Sequence, residues 1–248
     1  MSTTEIVIVL VASAIAALVK STTGMGYPLV LLPVLALFID VAEAVVIVAP
    51  SNLVLNSQLT WGMREHRSEA RTLSSVLKWS VPGAVVGALL LPVLPDASLR
   101  IVLVVIIVVF LINRVRSPNT QLSESQSKRL AAPVGFFAGG FQGAAGISGP
   151  IVTSWFLSVG ISRDAFIFSI ATVFALSGFA QIVVLAIQGL FTPTLIALGA
   201  ALIPLSFLIF PFGKKLRDMA SPQVFERVVL GLLMCSAISL VLRLVGIL

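Results

Sequence analysis

The 248-residue chain is 58% hydrophobic and only 10% charged, with a mean hydropathy of +1.11. An ordinary globular chain is about 25% charged, so this composition excludes a soluble domain and indicates an integral membrane protein. The apolar runs are continuous and do not alternate, which favours an all-α membrane fold over a β-barrel. The net charge of +6 comes mostly from short loops, where basic residues orient a protein in the bilayer; it does not indicate binding to nucleic acid.

The apolar runs, taken in chain order, form two similar groups. Each group has two short pieces separated by a glycine-rich break, and then three full-length runs. In the first group these are 5–20, 28–39, 41–61, 73–94 and 98–115. In the second group they are 131–142, 150–160, 164–188, 193–212 and 224–246. A short piece reaches only about 18–24 Å, less than the ~30 Å hydrocarbon core, so each short pair predicts two half-helices in a re-entrant hairpin.

The two groups are related as a sequence repeat. The separation of Gly24 from Gly146 equals that of Pro28 from Pro150. The same separation recurs further along, between Pro82 and Pro204 and between Asp96 and Asp218. We therefore predict a first transmembrane repeat at 1–115, a polar linker at 116–130 and a second transmembrane repeat at 131–248, together forming one membrane domain.

The basic loops occupy different places in the two repeats. In the first repeat they follow the third apolar piece, and in the second they follow the fourth. The residues are Arg64, Arg67 and Arg71, and then Lys214, Lys215, Arg217 and Arg227. Because basic loops stay inside, the repeats must be inverted relative to each other, which one hairpin plus three spans per repeat allows. The linker 116–130 is then expected in the cytoplasm and both termini in the periplasm.

The two breaks are STTGMGYPLV at 21–30 and GGFQGAAGISGPIV at 139–152. Proline favours the first turn of a helix, so Pro28 and Pro150 predict the starts of two half-helices. Hairpins that enter from opposite sides would bring both starts to the bilayer midplane, where free N–H groups and helix dipoles suit an anion. The alternative is that the glycines only allow close packing of helices.

Polar residues at the same depth complete the predicted anion site. Asn52 and Asn56 share one helix face, and Gln142 takes the place in the second repeat that Lys20 has in the first. Lys20 could supply positive charge or extend to the membrane surface, while the amides, including Gln181, could instead bond helix to helix. The predicted substrate-binding residues are Lys20, Ser21, Thr22, Thr23, Gly24, Gly26, Tyr27, Asn52, Asn56, Gln142, Gly146, Ser148, Gly149, Thr172 and Ser177.

Other chemistry has no support in the chain. One cysteine, Cys235, and one histidine, His66, give no metal spacing, and no catalytic pairing or nucleotide loop is present. We predict no cofactor, no metal site and no enzymatic activity. The acidic residues fall at the ends of apolar runs, so none is placed to carry a proton at mid-membrane. An inside-negative potential drives an anion outward by about 2.3 kcal/mol per charge per 100 mV, which favours efflux.

Two segments resemble the paired glycine–proline motifs of the TauE/SafE family, which is also called the toluene sulfonate uptake permease (TSUP) family. They are KSTTGMGYPLVLLPVLAL and GGFQGAAGISGPIVTSWFL. The resemblance covers the whole chain. It implies a multi-pass transporter of sulfite, sulfoacetate or another organosulfonate in the bacterial inner membrane. We predict alternating access by the two hairpins. An anion channel of the same architecture is the main alternative, and a membrane enzyme or assembly factor is a weaker one. The exact substrate, the coupling ion and the oligomeric state, with a homodimer as one option, stay open.

Overall fold

The computed structural model describes residues 3–116 and 122–219, together with the isolated positions 234, 238, 241 and 242. All regular structure in these residues is helical, which confirms the predicted all-α class. The helices are α1 (Thr3–Thr23), α2 (Tyr27–Leu35), α3 (Val41–Gly62), α4 (Leu73–Leu90), α5 (Asp96–Arg116), α6 (Glu124–Ala145), α7 (Gly149–Val159), α8 (Arg163–Ile187) and α9 (Pro193–Met219). Short 3₁₀ turns cover Arg64–Glu69 and Leu91–Val93. The predicted span 224–246, with Arg227 and Cys235, lies outside the described residues apart from the isolated positions.

Among the residues that the structure describes, four segments are long and apolar enough to cross a membrane. They are Thr4–Thr23, Leu73–Val93, Arg163–Ile187 and Pro193–Gly213. Large apolar side chains on these helices stay exposed, among them Val11, Phe179 and Leu208. Such a surface suits contact with lipid and would be costly in water.

The first helix of each hairpin is longer than the sequence predicts. α1 has 21 residues and α6 has 22, so each is about 32 Å long, and the prediction of short half-helices at 5–20 and 131–142 is wrong. The prediction of a loop over all of 116–130 is also wrong, because α6 begins at Glu124. A capping box starts it: Ser123 Oγ accepts from the Gln126 N–H, and Gln126 Oε1 accepts from the Ser123 N–H. Only α2 and α7, with 9 and 11 residues, are short.

α4 and α6 run side by side in the same direction with their backbones in contact. A Cβ atom added to Gly135 would collide with the carbonyl oxygen of Val76, and one added to Gly143 would collide with that of Ala84. The paired positions advance together along both helices, so the helices are parallel. Their starts therefore lie at one face of the protein, which we call the linker face.

The α6–α7 hairpin begins and ends at the linker face. The backbone N–H of Leu122, just before α6, donates to the carbonyl of Ser158 near the end of α7, at 2.8 Å. Trp155 Nε1 donates to Thr72 Oγ1, next to the start of α4, at 3.2 Å. The chain thus enters the protein along α6, turns, and returns to the same face along α7.

The α1–α2 pair is also a hairpin. Ser13 Oγ and Tyr27 Oη lie 3.0 Å apart, although an unbroken helix would separate the two residues by about 21 Å. α1 runs parallel to α9, because Tyr27 Oη also bonds Ser206 while Ser21 lies beside Gly213. The face at which α9 begins is therefore also the face at which α1 begins.

That face is opposite the linker face. α8 begins at the linker face, where Ser162 Oγ donates to Glu69 Oε2, and its 25 residues carry the chain across to the start of α9. The buried Arg100, at the start of α5, pairs with Asp96 and donates to the carbonyl of Ala36 just after α2. Both ends of the α1–α2 hairpin therefore lie at the opposite face, and the two hairpins enter the protein from opposite sides.

Candidate functional site

Each hairpin turns at glycines in the left-handed region. Gly24 has φ +81° and Gly26 has φ +101° after α1, and Gly146 has φ +68° after α6. L-residues with a Cβ are strained in this region, so these turns require glycine. The breaks are shorter than predicted, because only residues 24–26 and 146–148 are non-helical.

α2 and α7 begin directly after these turns. Pro28 and Pro150 are the second residues of the two helices, so both helices begin one residue before the proline that the sequence places at their start. Among the described residues, no side chain caps either start. Because the first N–H groups of a helix lack intrahelical acceptors, both starts offer free backbone donors.

Both helix starts line one small cavity. Its free volume is about 10 Å³, roughly the space that one water molecule needs. In this structure the cavity is therefore too small for a sulfur oxyanion. The lining residues are Gly26, Pro28, Leu29, Asn52, Gln142, Gly146, Ile147, Ser148, Gly149 and Phe174.

Each hairpin tip packs against the other repeat in the same way. A Cβ atom on Gly146 would lie 3.6 Å from Val45 of α3, and one on Gly24 would lie 3.3 Å from Ile167 of α8. Val45 and Ile167 have the same separation along the chain as Gly24 and Gly146. Such reciprocal contacts are what a two-fold relation between the repeats would produce.

The tip of the α6–α7 hairpin is held by a buried amide network. Ser148 Oγ donates to Gln142 Oε1 at 3.0 Å, and Gln142 Nε2 donates to Gln181 Oε1 at 3.4 Å. Gln181 Nε2 donates to the backbone carbonyls of Gln142 and Gly143 at 2.8 and 3.0 Å. The amide of Gln181 on α8 thus fixes the end of α6. From the sequence, only an unspecified helix-to-helix hydrogen bond is predicted for this residue.

The tip of the α1–α2 hairpin carries an unpartnered cationic side chain. Lys20 is 0% exposed, and its Nζ has no hydrogen-bond partner or ion pair in the part of the chain that the structure describes. The atom lies 5.5 Å from the ring centroid of Phe174, whose side chain also lines the cavity. A cation–π contact contributes about 0.5–2 kcal/mol, less than the several kcal/mol that burial of an ion costs. The alternative in which Lys20 extends to the membrane surface is wrong.

The three predicted hydroxyls at the end of α1 bond to their own helix. Ser21 Oγ and Thr22 Oγ1 both donate to the carbonyl of Leu18, and Thr23 Oγ1 lies 2.8 Å from the carbonyl of Val19. These bonds satisfy the last carbonyls of α1. They do not bring the hydroxyls to the cavity.

Five other predicted residues, one of which is Gly24 at the α1–α2 turn, also lie away from the cavity lining. Tyr27 Oη bonds Ser13 and Ser206, and Thr172 Oγ1 bonds a carbonyl of its own helix. Ser177 Oγ is buried without a partner among the described residues. Asn56 Nδ2 donates to Asn52 Oδ1 at 3.2 Å and so orients the amide that does line the cavity. Sequence reasoning missed the apolar wall of Leu29, Ile147 and Phe174, for which no polar signal exists.

Charged groups at the linker face join the loop after α3 to the turn before α8. His66 Nδ1 lies 2.9 Å from Glu69 Oε1, and Nε2 lies 3.7 Å from Asp164 Oδ2. The hydrogen bond to Glu69 raises the pKa of His66. Hydrogen bonds from Ser162 and then His66 lower the pKa of Glu69. All of these groups are at the surface, far from the cavity.

Comparison with known proteins finds the family that the two glycine motifs resemble. The family model described as Sulfite exporter TauE/SafE matches residues 9–240. No curated protein and no solved structure matches the chain. The residues described by the structure contain no group of three or more His, Cys, Asp or Glu that could hold a metal ion.

Proposed function

The chain belongs to the sulfite exporter TauE/SafE family, and from this premise we propose that it carries a small sulfur-containing anion across the membrane by alternating access. The family consists of multi-pass membrane transporters and not of enzymes, so these two predictions are confirmed. The proposal depends on one observation above all. The uncapped starts of α2 and α7 line the same buried cavity.

Backbone donors would bind the anion. Two helix N-termini contribute about half a positive charge each, and their free N–H groups can approach a ligand closely beside Gly26, Gly146 and Gly149. The amides of Asn52 and Gln142 lie in the same wall and can donate. Ser148 completes the set of predicted residues that line the cavity. Ser21, Thr22 and Thr23 are left out, because their hydroxyls already bond to α1.

Inverted repeats are part of this proposal. Their support is that the hairpins enter from opposite faces and that Gly24 and Gly146 contact equivalent helices. The linker face is proposed to be cytoplasmic in a bacterial inner membrane, because basic loops stay inside. The basic residues at or next to this face are Arg64, Arg67, Arg71, Lys128 and Arg129. The start of α1 would then face the periplasm, and the position of the C-terminus stays a prediction.

The closed cavity favours a carrier over a channel. A carrier would open the α1–α2 hairpin to one side and the α6–α7 hairpin to the other, never both together. A channel would need both hairpins displaced at once. In liposomes, saturable sulfite flux with counterflow supports the carrier. Flux that rises linearly with concentration and shows no counterflow supports the channel.

Ligand-induced stabilisation tests the substrate class. The purified protein is heated with sulfite, sulfate, thiosulfate, sulfoacetate or ethanesulfonate, each with and without sodium, and with chloride as the control anion. A bound anion at about 100 times its Kd raises the free energy of unfolding by roughly 2.7 kcal/mol, so the melting temperature should rise. Stabilisation only by cations or neutral solutes would overturn the proposal.

A matched pair of glycine variants tests the cavity. Gly146 and Gly160 share a φ of +68°, but only at Gly146 would a side chain meet neighbours; a Cβ on Gly160 meets nothing within 4 Å. Gly146→Leu should therefore abolish the thermal shift with the binding anion, while Gly160→Leu, with similar backbone strain, should keep it. Normal binding by Gly146→Leu would remove the α6–α7 tip from the site.

A further inference from the structure

We propose that Lys20 couples the anion to a proton: its amine is neutral in the closed, empty protein and takes up one proton when the anion enters the cavity. The inference rests on the proposed function, because it concerns the same site. It assigns the coupling ion of that site. Lys20 is charged only when the anion is bound. Neither the site with anion nor the site without it then contains a charge that lacks a partner of opposite sign.

Among the described residues, only the Phe174 ring and the C-terminal end of α1 favour the charged form of the amine, and neither supplies a counter-charge. Lys20 is fully buried and Nζ is without partner among the described residues. The carbonyls at the end of α1 could attract a cation, but they already accept hydrogen bonds. Leu18 accepts from two hydroxyls, Val19 accepts from Thr23, and the carbonyl of Lys20 itself accepts from the Gly24 N–H at 2.7 Å. An ammonium ion without counter-charge in such a place is strongly disfavoured.

The described charged and titratable side chains on the surrounding helices do not pair with Lys20. On α1 itself Glu5 is about 22 Å along the helix, and on α2 Tyr27 Oη bonds two serines. On α8 the charged residues Arg163 and Asp164 are about 15 Å along the helix from Phe174. On α9 the charged residues come after Gly213, which lies beside Ser21, and the described side chain among them, that of Lys215, is exposed. No described side chain forms an ion pair with Lys20, and in this proposal a bound anion supplies the counter-charge.

An anion in the cavity supplies that counter-charge. The ring centroid of Phe174 lies 5.5 Å from Nζ, and the same side chain lines the cavity, so the amine is one side chain away from the site; in this proposal a movement of the ring brings amine and anion together. The amine nitrogen binds a proton from the solution at the open side, which forms an ammonium–anion pair. After the hairpins have moved, the anion leaves and the ammonium nitrogen returns its proton to the solution at the second side. One proton thus travels with each anion, in the same direction.

Proton coupling changes what drives transport. For a monoanion the pair carries no net charge, so the membrane potential no longer drives the anion outward. The pH gradient and the anion gradient then set the direction. A neutral Lys20 also allows the empty protein to close and return, which a permanently charged side chain would prevent.

Substitution by arginine separates exchange from net transport. Arginine stays charged, so Lys20→Arg should bind the anion and exchange internal for external sulfite in liposomes, yet be unable to return empty. We expect sulfite counterflow to persist, and the ratio of net efflux into sulfite-free medium to counterflow to fall by about tenfold or more relative to the wild type. Lys78 of α4 is exposed, so Lys78→Arg is the matched control and should support both processes. Net efflux by Lys20→Arg at the wild-type rate would overturn the proposal.

Proton uptake by the wild-type protein provides a second test that needs no variant. Sulfite is added to purified protein in weakly buffered solution with a pH indicator, and protein-free solution corrects for protons that sulfite itself binds. One additional proton per bound sulfite is expected. Transport of sulfite by the wild type without additional proton uptake would overturn the role of Lys20 and leave the proposed function standing. Absence of any sulfur-anion binding or transport would overturn the proposed function, and this inference with it.

Discussion

The two hairpins have the same outline, but the protein holds them differently. The α6–α7 hairpin lies against α4 with backbone-to-backbone contacts at Gly135, Gly139 and Gly143. Its tip is fastened by the amide network of Gln142 and Gln181. The α1–α2 hairpin has one comparable close contact, at Gly213 of α9, and exposes a row of apolar side chains that includes Ile6, Val7, Val11 and Ile15. Its tip carries Lys20 without a partner among the described residues.

Equivalent positions therefore serve different purposes. Gln142 and Lys20 hold corresponding positions in the two proposed repeats, and among the described residues the side chain of Gln142 has hydrogen-bond partners whereas Lys20 Nζ has none. Buried polar groups are normally hydrogen-bonded, so an unsatisfied one that persists indicates a function other than stability. We infer that the α6–α7 hairpin is the rigid half of the site. The α1–α2 hairpin is then the half that responds to the ligand.

The largest effect is expected from disturbing the rigid half. A Cβ atom on Gly139 would collide with the carbonyl of Ser80, whereas one on the adjacent Gly140 would have only a distant neighbour at 3.9 Å. Gly139→Ala should lower the free energy of unfolding by about 1–3 kcal/mol or more, because two backbones must separate. Gly140→Ala should change it little or raise it slightly, since alanine is the better helix former. Denaturation of both variants in the same detergent measures the two free energies of unfolding. Equal values would contradict close packing of α4 and α6.

An intermediate effect should distinguish the two tips. Gln181→Leu removes the donor to two α6 carbonyls and to the Gln142 network, and should lower the free energy of unfolding by about 1–3 kcal/mol. Lys20→Met replaces an unpartnered amine by an apolar chain of similar length, so stability without anion should stay the same or rise. Thermal melting in anion-free buffer measures both. If Lys20→Met destabilises as much as Gln181→Leu, the two tips do not differ in the way inferred here.

The smallest effect concerns the exposed contacts at the linker face. The pKa of His66 is raised, so its contribution to stability is present below its ordinary value of ~6.5 and is lost as pH rises through the higher folded value. The pKa of Glu69 is lowered, so its contribution is lost as pH falls through the lower folded value. The difference in melting temperature between wild type and His66→Gln should be largest in mildly acidic solution, vanish at alkaline pH and shrink with added salt. A difference that is independent of pH would contradict the pairing.

Local signals in the sequence were sufficient for the class of the protein and for the helix starts at its centre. Composition determines that the chain belongs in a membrane, because no soluble fold could cover so much apolar surface. A proline one or two residues after a glycine marks where α2 and α7 begin, because proline restricts the backbone and glycine frees it through their own covalent structure. The capping box of Ser123 and Gln126 was an equally local signal for the start of α6, but the polar composition around it indicated a linker. The hydroxyls after Lys20 indicated unwound chain, yet they bond back to α1 and leave it helical to Thr23.

Tertiary structure alone decided which of these residues meet and which remain unsatisfied. Phe174 lies far along the chain from both turns, and only the packing of α8 brings this side chain next to Lys20 and into the cavity wall. Helix α8 also places Gln181 within hydrogen-bond distance of Gln142, but it provides no described partner for Lys20. From the sequence, Gln142 and Lys20 are predicted to be equivalent positions. The physical reason is the range of the interactions involved. Backbone restrictions act between neighbouring residues, whereas burial and hydrogen-bond partners depend on atoms that only folding brings together.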